Sequence, residues 1–305
     1  EKVAKGTSQF VIVDGAPGMG KTSLLSTIQR NLEKTKLDPV RVNGVAQEAF
    51  RPYYLVSYIA MGLMNQLRDK GISILEKLDG DTVSRLTHIL PQLKGGEPPL
   101  PENDPEKREA IFRSFIQFLA LLAGSRPLVI LIDDMHYCDP ASLHLIRAIM
   151  EEKDLLVFIC ATASREKQTI GEAVPLDLFR TAYASALGIQ TIELSALAEE
   201  DIERHMNIVF PGIRLPKRLC REMAVITRGN PLFIVEMIRK MISDAKIYQD
   251  GRKWTVTPLE KGYFPRSIEE IIRNKMASFD EESRRFLDRS SAFGESTSFS
   301  MLAGI

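Results

Sequence analysis

Gly15-Ala16-Pro17-Gly18-Met19-Gly20-Lys21-Thr22 fits the spacing G-x-x-x-x-G-K-[ST] at every fixed position. Residues of these types in this order suit the grip of a polyphosphate. Gly15, Gly18 and Gly20 let backbone N–H groups turn inward with no Cβ in the way. Lys21 offers a point charge for β- and γ-phosphates, and the Thr22 hydroxyl is a hard oxygen of the kind Mg²⁺ accepts. The expected phosphate-binding set is therefore Gly15, Ala16, Pro17, Gly18, Met19, Gly20, Lys21, Thr22 and the next residue, Ser23. A helix starting at Lys21 would add its free N-terminal N–H groups and the positive end of its dipole.

A second group is Asp133-Asp134, which closes the apolar run Leu128-Val129-Ile130-Leu131-Ile132. Downstream of a phosphate loop, an acidic strand end is placed for metal work. Asp133 would hold Mg²⁺ next to Thr22, directly or through water. Asp134, pointing differently, would orient or deprotonate an attacking water. A third candidate is Ala161-Thr162-Ala163-Ser164-Arg165, just past another buried strand, where Thr162 or Arg165 would sense a γ-phosphate. The other reading of Arg165 is a charge on a solvated loop. Arg228-Gly229-Asn230-Pro231 is, by physics alone, a helix start.

The elements that must position these residues can be read from periodicity. Residues 8–14 form a strand, and Leu24, Leu25, Ile28 and Leu32 mark a helix over 21–35. Pro39-Val40-Arg41-Val42 is a short second strand. Helices are expected from Leu55 to Leu67, from Leu75 to Leu93, and from Pro105, capped by Asp104, to Gly124, with a Pro- and Gly-rich loop over 91–105. Leu155–Cys160 and, more weakly, Ile189–Leu194 continue the strands. Strands alternating with helices predict a parallel α/β sheet. From Ala198 onward helices follow at 199–210, 217–227 and 231–246, then a hairpin over 247–256 around Asp250-Gly251. Two more helices occupy 267–279 and 281–290, and another begins at Phe299.

Composition narrows the classes. The 305 residues predict two or three domains, and 44% hydrophobic with 26% charged residues is ordinary for a globular chain. Lys plus Arg equals Asp plus Glu at 40 each, so charge indicates no nucleic-acid partner. Three distant cysteines, Cys138, Cys160 and Cys220, argue against a disulfide framework and for a reducing, cytoplasmic compartment. No apolar run of about 18 residues predicts a membrane span. The N-terminus does not read as a signal peptide, and the chain is expected to begin and end within a longer protein. The four histidines show no metal-ligand spacing, and no nucleophile elbow supports a Ser-His-Asp hydrolase. Met223, Met237 and Met241 read as core filler.

Together, Gly15–Thr22, the stretch Leu131-Ile132-Asp133-Asp134-Met135-His136-Tyr137-Cys138-Asp139-Pro140-Ala141-Ser142 and Gly229-Asn230-Pro231 resemble the STAND class of P-loop ATPases, signal-transduction ATPases with numerous domains. The D-D-x-H-x-x-D-P-x-S form is similar to the AAA-like modules of large bacterial transcriptional activators and of chains carrying cyclase or kinase domains. Pro265–Ile272 is similar to the stretch that opens a winged helix in those proteins. The resemblance implies a P-loop NTPase core at 1–196, a helical lid at 197–246 and a truncated winged-helix domain at 247–305. It implies that Pro231 lies against adenine or ribose, and it supports Arg165 as the sensor, so the expected catalytic set is Lys21, Asp134 and Arg165. The cofactors it implies are ATP or ADP and Mg²⁺. Such proteins switch: closed with ADP, open and self-associating with ATP, and coupled to other domains of their own polypeptide. The Gly-Arg pair and glutamate usual before the first strand are missing, and Tyr137-Cys138 replaces the commoner Trp-Ala.

The leading expectation is thus an ATP-binding, slowly hydrolysing regulatory switch. One alternative is an AAA+ ATPase of the origin-recognition kind that loads on DNA. Residues 251–305 hold nine Lys or Arg against eight Asp or Glu, which declares no basic face. The other is a nucleotide-binding scaffold without turnover. A metabolic kinase is disfavoured, since no second substrate pocket is evident.

Overall fold

A computed structural model describes residues 7–35, 37–69, 74, 77–93, 105–124, 126–164, 175–260, 262–265, 268–277 and 279–291. The chain divides into two units, one of residues 1–15 and 21–193, the other of residues 16–20 and 194–305.

The first unit is built on a five-stranded sheet in the order β2-β3-β4-β1-β5, formed by β1 (Gln9–Asp14), β2 (Val40–Asn43), β3 (Leu128–Asp133), β4 (Val157–Ala163) and β5 (Gln190–Glu193). Every pairing is parallel. β3 is buried at all six positions, which is why it reads as an unbroken apolar run. β5, at the sheet edge, is exposed along its length, which explains its weaker sequence signal. The register aligns Asn43 with Asp133, Ile132 with Ala161, and Val13 with Thr162. The carboxyl ends of four strands therefore meet at one edge, where ligands of open α/β sheets bind.

Helices cover the sheet: α1 (Lys21–Lys34), α2 (Tyr54–Asp69), α3 (Gly80–Leu86), α4 (Pro105–Ala123), α5 (Pro140–Glu151) and α6 (Pro175–Tyr183). α1 packs on β3 and β4, and α2 on β2 and α5. The core includes Phe10, Ile12, Leu55, Phe115, Ile130 and Leu145. The helix expected from Leu75 to Leu93 is shorter, because Asp79 caps its start by accepting from Thr82 N at 2.8 Å and the chain leaves the helix at Thr87. The loop residues 94–104, the Asp104 cap and the segment from Phe299 lie outside the described residues. α5 and α6 had no counterpart in the periodicity reading, yet Asp139-Pro140 is the same cap-then-proline start as Asn230-Pro231, with Asp139 accepting from Ser142 N at 2.8 Å.

The second unit carries α7 (Glu199–Val209), α8 (Lys217–Thr227), α9 (Pro231–Ser243), an antiparallel hairpin of β6 (Ile247–Asp250) and β7 (Lys253–Val256), then α10 (Ile268–Ala277) and α11 (Glu281–Ser291). Its core is apolar and rich in methionine: Met206, Met223, Met237 and Met241 pack with Ile202 and Phe210. Gly229 adopts φ +69°, and a Cβ there would lie 2.4 Å from the Leu197 carbonyl oxygen, so the α8–α9 turn needs glycine.

Candidate functional site

β1 delivers the chain to Gly15 and α1 resumes it at Lys21, so the motif spans a strand end and a helix start. Between them Gly18 and Gly20 take φ of +79° and +89°, conformations open to glycine at little cost. A Cβ at Gly20 would meet nothing within 4 Å, leaving open space beside the turned backbone. The Lys21 ammonium is buried and donates to the Gly15 carbonyl at 2.8 Å. In the second unit, Asn230 caps α9 by accepting from Leu232 N at 3.0 Å, and its amide donates to Pro17 O at 2.9 Å. Pro231 follows as the first residue of α9.

Asp133 ends β3 almost fully buried. Its Oδ1 accepts from the Thr162 hydroxyl at 2.6 Å and from the Thr22 hydroxyl at 3.3 Å. Its Oδ2 accepts from Arg41 Nη2 at 2.8 Å. The Thr162 hydroxyl in turn accepts from Asp134 N at 2.9 Å. Strand pairing accounts for this: β3 and β4 in parallel register bring Asp133 level with Thr162.

Asp134 leaves the strand in the left-handed region, φ 53° and ψ 47°, and its side chain is 46% exposed where that of Asp133 is 7%. Gly44 makes room for the turn: it donates to Asp133 O at 2.7 Å, and a Cβ on it would sit 2.1 Å from Asp134 O. Burial, then the neighbouring Asp133 charge, pushes the Asp134 carboxyl above the ordinary aspartate range. His136 Nδ1 lies 3.9 Å from Asp134 Oδ1 and accepts from Ser164 N at 3.3 Å.

The structure thus brings Lys21, Thr22, Asp133 and Asp134 into one region of the first unit and adds Thr162, which lies within β4 rather than beyond it. Arg165 lies outside the described residues. Arg41 and Gly44 escaped the sequence reading. The only hint of Arg41 was a charge between two apolar residues of a short strand, and its partner is 92 positions away. The residues fit the expected groups. Thr22 and Asp133 present two hard oxygens 3.3 Å apart, a donor set suited to Mg²⁺. The glycine turn and buried lysine suit phosphate oxygens.

Residues 1–159 match the family described as AAA ATPase domain, and the chain belongs to that family. A relative is the hybrid signal transduction histidine kinase G of Dictyostelium discoideum, 28% identical over 166 residues. That match covers 50% of this chain, and the chain spans about 5% of the kinase's length. Among solved structures, Orc1 of Aeropyrum pernix in complex with DNA aligns over 99% of this chain and 72% of its own at 14% identity, TM-score 0.45. A mutant RuvB of Thermotoga maritima aligns over 97% of this chain and 73% of its own at 15% identity, TM-score 0.39.

Proposed function

We propose that the chain is an ATP-binding, slowly hydrolysing regulatory module of the STAND kind within a larger signalling protein. The observation that carries the reading is the meeting of the Thr22 hydroxyl and the Asp133 carboxylate at the head of α1, next to the buried Lys21. The signalling context rests on the resemblance and on a relative that is a signal transduction kinase.

In this reading, backbone N–H groups of 16–22 and the Lys21 ammonium bind the β- and γ-phosphates, exchanging the Lys21 contact with Gly15 O for phosphate oxygens. Thr22 and Asp133 hold Mg²⁺, which neutralises phosphate charge when bound. Thr162 holds Asp133 through its hydroxyl and receives the Asp134 N–H, so it fixes the two aspartates relative to each other. Asp134 orients the attacking water and takes its proton as the bond to the γ-phosphorus forms and the bond to the β,γ-bridging oxygen breaks. Phosphoryl transfer asks the protein for positioning and charge more than covalent chemistry. Arg165 as sensor, Pro231 against the adenine or ribose, residues 197–246 as lid and 247–305 as the start of a winged helix belong to the same proposal on the strength of the resemblance. Loss of the γ-phosphate on hydrolysis would then shift the balance between two conformations and with it self-association. Among the described residues no helix is long and apolar enough to cross a membrane.

The test is phosphate release by wild type and Asp134→Asn, with the nucleotide carried through purification identified by mass. Asp134→Asn is expected to bind nucleotide as wild type does and to lose about a hundredfold in turnover, the contribution of one general base. Wild-type turnover in Asp134→Asn rejects the assigned role. Co-purified ADP with no phosphate release from wild type supports the scaffold without turnover.

A further inference from the structure

Arg41 sits between Val40 and Val42, both of which enter the core. Alternation along β2 sends its side chain to the other face of the sheet. There its guanidinium forks. Nη1 donates to Ser26 Oγ at 2.8 Å, one turn along α1 from Thr22, and more distantly to Gln29 Oε1 at 3.5 Å. Nη2 donates to Asp133 Oδ2 at 2.8 Å. The Asp133 side chain is 7% exposed and the Arg41 side chain 24%.

A structural brace between α1 and the sheet would explain the fork. Yet a buried ion pair is weak support for stability, because desolvation cancels much of the attraction. What sets this pair apart is its acid. Asp133 is the carboxylate assigned to the metal, and its two oxygens are shared out: Oδ1 to the hydroxyls of Thr22 and Thr162, Oδ2 to a permanent cation. The negative charge that would attract a divalent ion is therefore already matched by one belonging to the protein.

We infer that Arg41 is a positioning residue that makes metal binding depend on nucleotide. Resting on the reading of Asp133 as the metal carboxylate, the inference is that Arg41 holds Oδ1 toward Thr22 while its charge opposes a bare divalent cation. The metal is then kept only when phosphate oxygens add their own charge, so Mg²⁺ arrives with the nucleotide and leaves with it. A fixed positive charge this close to a cation site outweighs a factor of about ten in affinity. Removing Arg41 should therefore tighten metal binding in the nucleotide-free protein. Loss of a purely structural brace would loosen it or leave it unchanged.

The experiment is a Mn²⁺ titration of the full chain, free of nucleotide and then with ATP, followed by electron paramagnetic resonance. The variants are Arg41→Gln, Arg41→Lys, and Arg41→Gln combined with Asp133→Asn. Without nucleotide, Arg41→Gln is expected to bind one Mn²⁺ about tenfold more tightly than wild type. Arg41→Lys, which keeps the charge and loses the fork, stays close to wild type and serves as the folded control. Asp133→Asn erases the gain. Arg41→Gln binding no tighter than wild type, or a gain that survives Asp133→Asn, overturns the inference while wild type still takes Mn²⁺ with ATP. A wild type that takes no Mn²⁺ even with ATP overturns the metal reading of Asp133 and this inference together.

Discussion

The two units bury different things. Among the described residues, the first hides Asp14, Lys21, Asp133, Asp139, Ser142 and Thr162 with other polar side chains, whereas the second hides one, Thr227, whose hydroxyl is satisfied by Met223 O at 2.7 Å within its own helix. Buried charge is costly unless each group finds its partner. In the first unit the partners come from far along the chain: Asp14 meets Arg180, Asp133 meets Arg41 and Thr162, and Asp139 meets Tyr53 N. In the second, the core is side chains of adaptable shape, methionine above all. A polar network inside a parallel sheet fixes atoms to within a hydrogen bond, and an apolar helical core holds shape with fewer exact requirements.

Two substitutions sharpen this contrast. The larger effect is expected at Asp139, whose Oδ1 accepts from both Tyr53 N and Ser142 N at 2.8 Å. Those bonds cap α5 and hold Tyr53 at φ 62°, a strained conformation for a bulky residue. Asp139→Ala leaves one buried and one part-buried donor unpaired and should cost about 3 kcal/mol, read from the shift in a denaturant midpoint by circular dichroism. The smaller effect is expected at Met241, fully buried in the second unit. Met241→Leu nearly conserves volume and should cost less than about 1.5 kcal/mol by the same measurement. Equal losses in the two variants would break the contrast between a polar network and an adaptable core.

The same contrast explains what the sequence let one read. The glycine turn, Lys21 and Thr22 were legible because their chemistry is local: strand, turn and helix lie within one short stretch. Asp133 was legible because it ends an unbroken apolar run. Thr162 was legible only as one of two sensors, since its place beside Asp133 depends on the β3–β4 register. Arg41 and Gly44 were not legible, because a four-residue strand gives little periodicity and its partner in the sheet comes long after it in the chain. The second unit's helices and hairpin read well, since each is set by nearby caps, turns and 3.6-residue spacing. Local signals therefore located the glycine-rich turn between β1 and α1. Strand pairing, which periodicity does not encode, arranged the aspartate around which the proposed chemistry turns.

The proposed chemistry requires that the turn from Gly15 to Thr22 grip the terminal phosphates of a nucleotide. Isothermal titration of the full chain with Mg-ATP, beside Lys21→Ala, tests it most directly. Wild type is expected to give saturable heat at one site, and Lys21→Ala to bind at least about tenfold more weakly through the loss of a charged hydrogen-bond donor. No heat with wild type, or an unchanged titration with Lys21→Ala, would contradict it.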